Sequence, residues 1–238
     1  MIHNKFAYTP SRSFPVPKRT CLENLRFAGD KRTIAAYSES QNAHFDRLDA
    51  FDPEISNVID LFKAQNMPLG AKVLDAGCGP GRYVRWLLDK GYDAYGFDAW
   101  PDAIQKAQTT YPKLKNRLQN VSFSEAERAY AKNKNTFDAI FCAGVLYHLD
   151  RVEVREGIRL FKTLLNDNGK VFVSLSDHHN RNLDENRRDA QGRFFSDVTA
   201  EELKRMFIQE GFQLLEINYK NGGDKLTWTG MSFKKATR

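Results

Sequence analysis

The sequence predicts an α/β fold: a mostly parallel sheet of seven strands, helices on both faces, and a C-terminal antiparallel hairpin. Three observations predict it. From Ala71 to Leu175, short apolar runs alternate with segments of helical periodicity, the rhythm of strand–helix–strand crossovers. The first run opens into a glycine-rich turn, Gly77-Cys78-Gly79-Pro80-Gly81, between strand and helix. Near the end, two β-rich runs flank Asn221-Gly222-Gly223-Asp224, a good hairpin connection.

Each element follows in order. Residues 1–34 hold three of the eight prolines and many polar residues, and read as an extended arm. From Thr33 to about Gln65 apolar residues recur at helical spacing, with Asp52-Pro53 as a break and restart. Strands are predicted at 71–76, 93–98, 120–123, 137–142 and 169–175, and helices at 82–90, 101–110 and 152–165. Residues 176–191 are polar. Thr199 with Glu202 makes a capping box for a helix ended by Gly211, and strands over 212–219 and 226–233 complete the set. The expected organisation is a basic arm with cap helices (1–66) and a main domain (67–238) that carries a lid-like insertion at 176–198.

Composition narrows the class. A chain of 238 residues, 41% hydrophobic and 28% charged, suits one globular domain with appendages. No apolar run reaches the roughly 18 residues of a membrane span, and the first residues lack the apolar stretch of a secretory signal. Three scattered cysteines (Cys21, Cys78, Cys142) argue against a disulfide scaffold and against a paired-cysteine metal site, and suit a reducing cytoplasm. Of the net charge of +6, residues 1–35 hold +5. Such an arm can track phosphates or can simply be solvated.

The chemistry centres on Val73-Leu74-Asp75-Ala76-Gly77-Cys78-Gly79-Pro80-Gly81-Arg82. Its glycines allow a sharp turn and a close ligand approach, and the following helix offers its N-terminal N–H groups. A dinucleotide fingerprint would place its third glycine at position 82, which is Arg82, so a dehydrogenase is disfavoured. Asp98 ends the second strand, 21 residues beyond Gly77, where a carboxylate can accept both ribose hydroxyls or cap the Trp100-Pro101 segment.

Those residues resemble the class I S-adenosylmethionine-dependent methyltransferases, over about residues 35–235. The first motif of that family matches Val73–Gly81, its ribose acid matches Asp98, and its fourth-strand motif matches Phe137-Asp138-Ala139-Ile140-Phe141 through Val145-Leu146-Tyr147-His148-Leu149. Arg193-Phe194-Phe195-Ser196 before Thr199, with Tyr37 and Asn42, resembles a bacterial subgroup of small methyltransferases. The resemblance implies a Rossmann-like sheet and S-adenosyl-L-methionine as cofactor. It implies that Gly77, Cys78 and Gly79 hug the methionine part through backbone atoms, with Asp75 reaching its ammonium directly or through water and Gly81 and Arg82 also binding the cofactor. It further places Asp98 on the ribose, Ala99 and Trp100 on the adenine, and Cys142 and Ala143 beside the cofactor at the fourth strand's end. An acid after the third strand often meets the adenine amino group in the family. Here Glu125 or a backbone group could serve.

Methyl transfer is an in-line displacement, served mainly by alignment in a water-poor site. No metal is suggested by spacing, since the adjacent His178 and His179 rarely chelate together in a strand. A general base is needed only for a protonated nucleophile. Tyr147 and His148 are the candidates, although a histidine there is also commonly structural. Cys142-Ala143-Gly144-Val145 is unlike the polar-Pro-Pro-aromatic stretch of amide and adenine N-methylators, and Cys142 reads as a small core residue. Tyr37, His178, Arg193 and Phe194 are the expected acceptor contacts. The acceptor is expected to be a small molecule, with RNA docked on the basic arm as the alternative.

Overall fold

Alternation of buried side chains builds the sheet. Along β4 (Phe137–Ala143), Phe137, Ile140 and Cys142 enter one apolar layer while Ala139 and Phe141 enter the other. A strand buried on both faces needs helices on both faces. The structure is a computed structural model that describes residues 31–39, 41–177, 182–222 and 227–236. The arm of residues 1–30, His178, His179 and the side chain of Asn42 lie outside the described residues.

The remaining strands are β1 (Lys72–Ala76), β2 (Asp93–Asp98), β3 (Leu118–Asn120), β5 (Leu165–Ser176), β6 (Phe212–Asn221) and β7 (Thr227–Lys235). They form one sheet in the order β3-β2-β1-β4-β5-β7-β6. The first five run parallel, and β7 is antiparallel to both β5 and β6. β1 and β4 are neighbours from which the chain winds outward in opposite directions, which leaves a crevice at their carboxyl ends.

The helices are α1 (Lys31–Glu39), α2 (Gln41–Asp49), α3 (Asn57–Ala64), α4 (Arg82–Asp89), α5 (Pro101–Thr110), α6 (Phe123–Ala129), α7 (Arg151–Leu164) and α8 (Ala200–Gln209). α3 starts where the Ser56 hydroxyl accepts from Val58 N at 3.3 Å. Its Phe62 is buried against Phe141 and Phe172, with ring centroids at 5.1 and 5.3 Å. Burying such a ring stabilises by about 1.5–3 kcal/mol. α3 is thus packed on the sheet by this ring.

Two local expectations are corrected. The third strand ends at Asn120 rather than running over 120–123, because Ser122 and Glu125 form a capping box that starts α6 at Phe123. At α8 only half a box forms. Thr199 accepts from Glu202 N at 3.2 Å, while the Glu202 carboxylate turns to Arg151.

Candidate functional site

The glycine turn is tied to the second strand by its backbone: Gly77 N and Cys78 N both donate to Phe97 O, at 2.8 and 3.0 Å. Gly77 has φ +80°, and a Cβ there would lie 2.4 Å from Val145 Cγ2, so only glycine fits. Gly79 differs. A Cβ there would meet nothing nearer than Leu48 Cδ1 at 4.0 Å, so this glycine faces open space in the crevice. Gly81 packs on Leu114 and Leu118, away from the cavity wall.

Two carboxylates flank the turn. Asp98 is half-buried, with Oδ2 accepting from Gly79 N and Oδ1 from Trp100 N, each at 2.8 Å. It braces the turn into α5 and lines the cavity, while burial raises its pKa against the opposing pull of those N–H bonds. Asp75 is 1% exposed, and neither oxygen has a hydrogen-bond partner among the described residues. Burial pushes its pKa up to about 7, with Arg82 lowering it and Asp98 raising it. An orphaned buried carboxylate calls for a cation.

A cavity of about 650 Å³ opens at this end of the sheet. Gly77, Cys78, Gly79, Arg82, Asp98, Ala99, Trp100 and Ala143 line it, together with Tyr37, Tyr147, His148 and Arg193. Asp75, Gly81, Cys142 and Phe194 are not on its wall. Cys142 is fully buried, and burial raises both the Cys142 and Cys78 thiols, so each stays a protonated core group. In place of Phe194 the neighbouring Phe195 supplies a ring. Glu125 is engaged by Ser122 in the cap of α6, whereas Ser122, Phe123 and Ser124 form wall.

Sequence reasoning pointed to that stretch of wall only as Glu125 or a backbone group, and it missed His44 and Trp228 and gave Val145 no role. The capping pattern at Ser122 and Glu125 was the available signal for the first. His44 packs on Trp100 and Tyr37, and burial followed by Arg47 and Arg193 lowers its pKa to about 4, so it is neutral. The indole Nε1 of Trp100 is buried with no partner among the described residues.

The two segments expected to cover the site meet at its mouth. Thr33 Oγ1 on α1 accepts from Phe194 N at 2.9 Å, and Tyr37 Oη lies 2.8 Å from His148 Nε2. His148 Nδ1 lies 2.6 Å from Phe194 O. Phe195 stacks on Tyr147 with centroids 5.6 Å apart. Arg193 Nε and Nη2 reach Asp189 Oδ2 at 2.8 and 2.6 Å, and its guanidinium sits over the Tyr37 and Phe195 rings. That cation is thus already engaged by a carboxylate of its own segment. Below the mouth, α2 is held to α4 by the Asp49–Arg85 ion pair at 2.6 Å.

Among the described residues, no group of three His, Cys, Asp or Glu could hold a metal, and no helix is long and apolar enough to cross a membrane. The fold is shared with solved structures. A Burkholderia thailandensis 1,6-didemethyltoxoflavin-N1-methyltransferase, bound to that compound and S-adenosylhomocysteine, superposes with a TM-score of 0.67 over 94% of each chain at 18% identity. A TehB-like SAM-dependent methyltransferase from Corynebacterium glutamicum gives 0.60 over 85% of this chain and 98% of its own, at 20% identity. By sequence, a ubiquinone biosynthesis O-methyltransferase of Aliivibrio fischeri is 30% identical over 138 residues, 58% of this chain and 53% of its own. A 2-heptyl-1-hydroxyquinolin-4(1H)-one methyltransferase of Mycobacteroides abscessus is 35% identical over 108 residues, 44% of this chain and 43% of its own. The chain thus spans about half the length of these curated relatives. The methyltransferase-domain family matches residues 45–217, from α2 through the glycine turn and both carboxylates into β6, and the chain belongs to that family.

Proposed function

We propose that the protein transfers a methyl group from S-adenosylmethionine to an oxygen, nitrogen or sulfur nucleophile of a small molecule. The observation that carries this is the buried Asp75 carboxylate, without a hydrogen-bond partner among the described residues and two residues before the glycine turn, whose Gly77, Cys78 and Gly79 line the cavity together with Asp98. A cationic amino acid joined to a ribose matches that pair. Bound there, S-adenosylmethionine supplies an electrophilic methyl group whose bonding pair stays on sulfur.

The chain's own residues do the rest. Asp98 keeps lone pairs for the ribose hydroxyls, Gly79 admits the ligand backbone, and Ala99 and Trp100 flank the base. The aromatic mouth of Tyr37, Tyr147, Phe195 and Trp228 holds an acceptor and excludes water, which favours displacement over side reactions. The Mycobacteroides abscessus and Burkholderia thailandensis enzymes are named for small molecules, 2-heptyl-1-hydroxyquinolin-4(1H)-one and 1,6-didemethyltoxoflavin, which supports this class over RNA. The buried, unbridged Cys78 and Cys142 support action in the reducing cytoplasm.

Calorimetry with S-adenosylmethionine, S-adenosylhomocysteine and NAD tests the proposal. The first two should bind and NAD should not. Binding of NAD alone, or of none of the three, would refute it.

A further inference from the structure

We propose that Arg82 is a carboxylate-binding residue and that, with Asp75, it takes the two charges of the ligand's amino-acid end: carboxylate on the guanidinium, ammonium on the aspartate. This rests on the methyl-transfer reading and deepens it by naming the group that an uncompensated cation of the cavity recognises.

The other cations of the cavity wall are engaged or solvated. Arg193 pairs with Asp189 and Lys220 with Asp60, at 2.6 and 2.5 Å, while Arg47 is exposed and donates to His44 Nδ1. Arg82 differs. It is half-buried at the start of α4, and its side chain makes a single hydrogen bond among the described residues, to Leu48 O at 3.3 Å. Its guanidinium carbon lies 4.6 and 4.8 Å from the ring centroids of Phe51 and Tyr83. Such aromatic faces position a cation without neutralising it. No carboxylate among the described residues pairs with it. A guanidinium presents five N–H donors in a fork that fits a carboxylate, so most of its donors remain for a ligand.

The neighbourhood places this cation beside the ligand space. Leu48, whose carbonyl takes the one bond, also puts Cδ1 at the edge of the open space over Gly79. Asp75 supplies the opposite charge. It is buried without a hydrogen-bond partner among the described residues, and Arg82 pulls its pKa down against the effect of burial. The two charges thus feel each other yet form no ion pair, and each lacks a full counter-charge. A simple anion would satisfy Arg82 alone, and a simple cation Asp75 alone. A group with both charges on one carbon satisfies both, which offsets the cost of burying either.

The test uses two ligands that differ by that carboxylate alone. S-adenosylhomocysteine carries it, and S-adenosyl-3-thiopropylamine has hydrogen in its place and keeps the ammonium. Calorimetry at about pH 8, above the Asp75 pKa of about 7, should show wild type binding the first about 10–100-fold more tightly. Arg82→Gln should bring the two affinities to within about threefold of each other, and Arg82→Lys should keep part of the preference. Asp75→Asn should weaken both ligands, because both keep the ammonium, and no weakening of either would overturn the pairing. Equal affinities in wild type would overturn the proposal whether or not a variant folds. A preference that Arg82→Gln leaves unchanged would overturn it too, since a structural role alone does not distinguish the ligands. A loss in Arg82→Gln confined to 4-hydroxybenzoate, titrated into the S-adenosylhomocysteine complex, would put an acceptor's carboxylate there and overturn the assignment. Failure of both S-adenosylmethionine and S-adenosylhomocysteine to bind wild type would instead overturn the methyl-transfer reading beneath it.

Discussion

Replacing Asp75 by Asn tests the buried carboxylate directly. Its pKa is pushed up to about 7 in the folded protein from an ordinary 3.8, chiefly by burial, and neither oxygen has a hydrogen-bond partner among the described residues. The sign is set by proton counting. Between those two values the folded chain holds a proton that the unfolded chain has released, so stability falls as pH rises. The contribution is fully present below about pH 4 and lost by about pH 7. Three pH units at about 1.4 kcal/mol each correspond to roughly 4 kcal/mol, an upper order of magnitude for a site that can relax. Asparagine removes the ionisation and keeps the shape. Its own buried amide costs about 1–3 kcal/mol, but that cost does not vary with pH. Urea unfolding of both ligand-free proteins at about pH 5 and about pH 8 should show the variant gaining on wild type by up to about 3 kcal/mol over that interval. On the proposed reading the same change should also weaken S-adenosylmethionine, whose ammonium would lose its counter-charge. A stability difference that does not move with pH would show that this carboxylate is not desolvated in the ligand-free chain.

Three further outcomes are expected. Asp98→Ala removes the acceptor of the Gly79 and Trp100 N–H groups and, on the proposed reading, of the ribose hydroxyls, and should cost about 2–4 kcal/mol of cofactor binding, or ~30–1000-fold by calorimetry. Gly77→Ala combines a φ of +80° with the Val145 clash and should lower stability by about 2–4 kcal/mol in thermal melts. Adding Val145→Ala should recover part of that loss, and no recovery would place the whole cost in the backbone. Asp150→Ala leaves Val152 N and Glu153 N without their cap at the start of α7 and should cost about 1 kcal/mol, read from the urea midpoint with an unchanged slope.

The body of the fold was legible because its signals are local. A strand buried on both faces, such as Phe137–Ala143, writes a continuous apolar run, and crossover helices separate such runs at regular spacing. The glycine turn is local too, since its backbone conformation depends on its own residues and on Phe97 O one strand away. Errors fell where a local signal had two readings. Asn120 to Phe123 is β-like in composition, but the Ser122–Glu125 cap closes around the helix that begins at Phe123. Thr199 and Glu202 fit a full box, but an arginine fourteen residues beyond Phe137 in the chain, Arg151, holds the glutamate more strongly than a cap N–H does.

The acceptor side of the site was less legible for a physical reason. Its side chains are placed by bonds between residues far apart in sequence: Tyr37 to His148 spans 111 positions, and Thr33 to the Phe194 N–H spans 161. No periodicity records such pairs. Residue type alone suggested Tyr37, His148 and Arg193 but not their partners, so the Asp189 carboxylate that holds Arg193 from four residues before it went unread. The same reasoning chose Phe194 for its ring, whereas the chain turns so that its carbonyl orients His148 and Phe195 supplies the ring. The cofactor side is read largely by backbone and by two acids at strand ends, features a sequence states outright. The acceptor side is read by side chains whose hydrogen-bond directions are decided only once α1 and the 187–196 segment are packed against each other. In that packed arrangement the Tyr37 hydroxyl, the His148 imidazole and the Phe194 carbonyl fall into one hydrogen-bonded chain, at 2.8 and 2.6 Å, that no one residue's type announces.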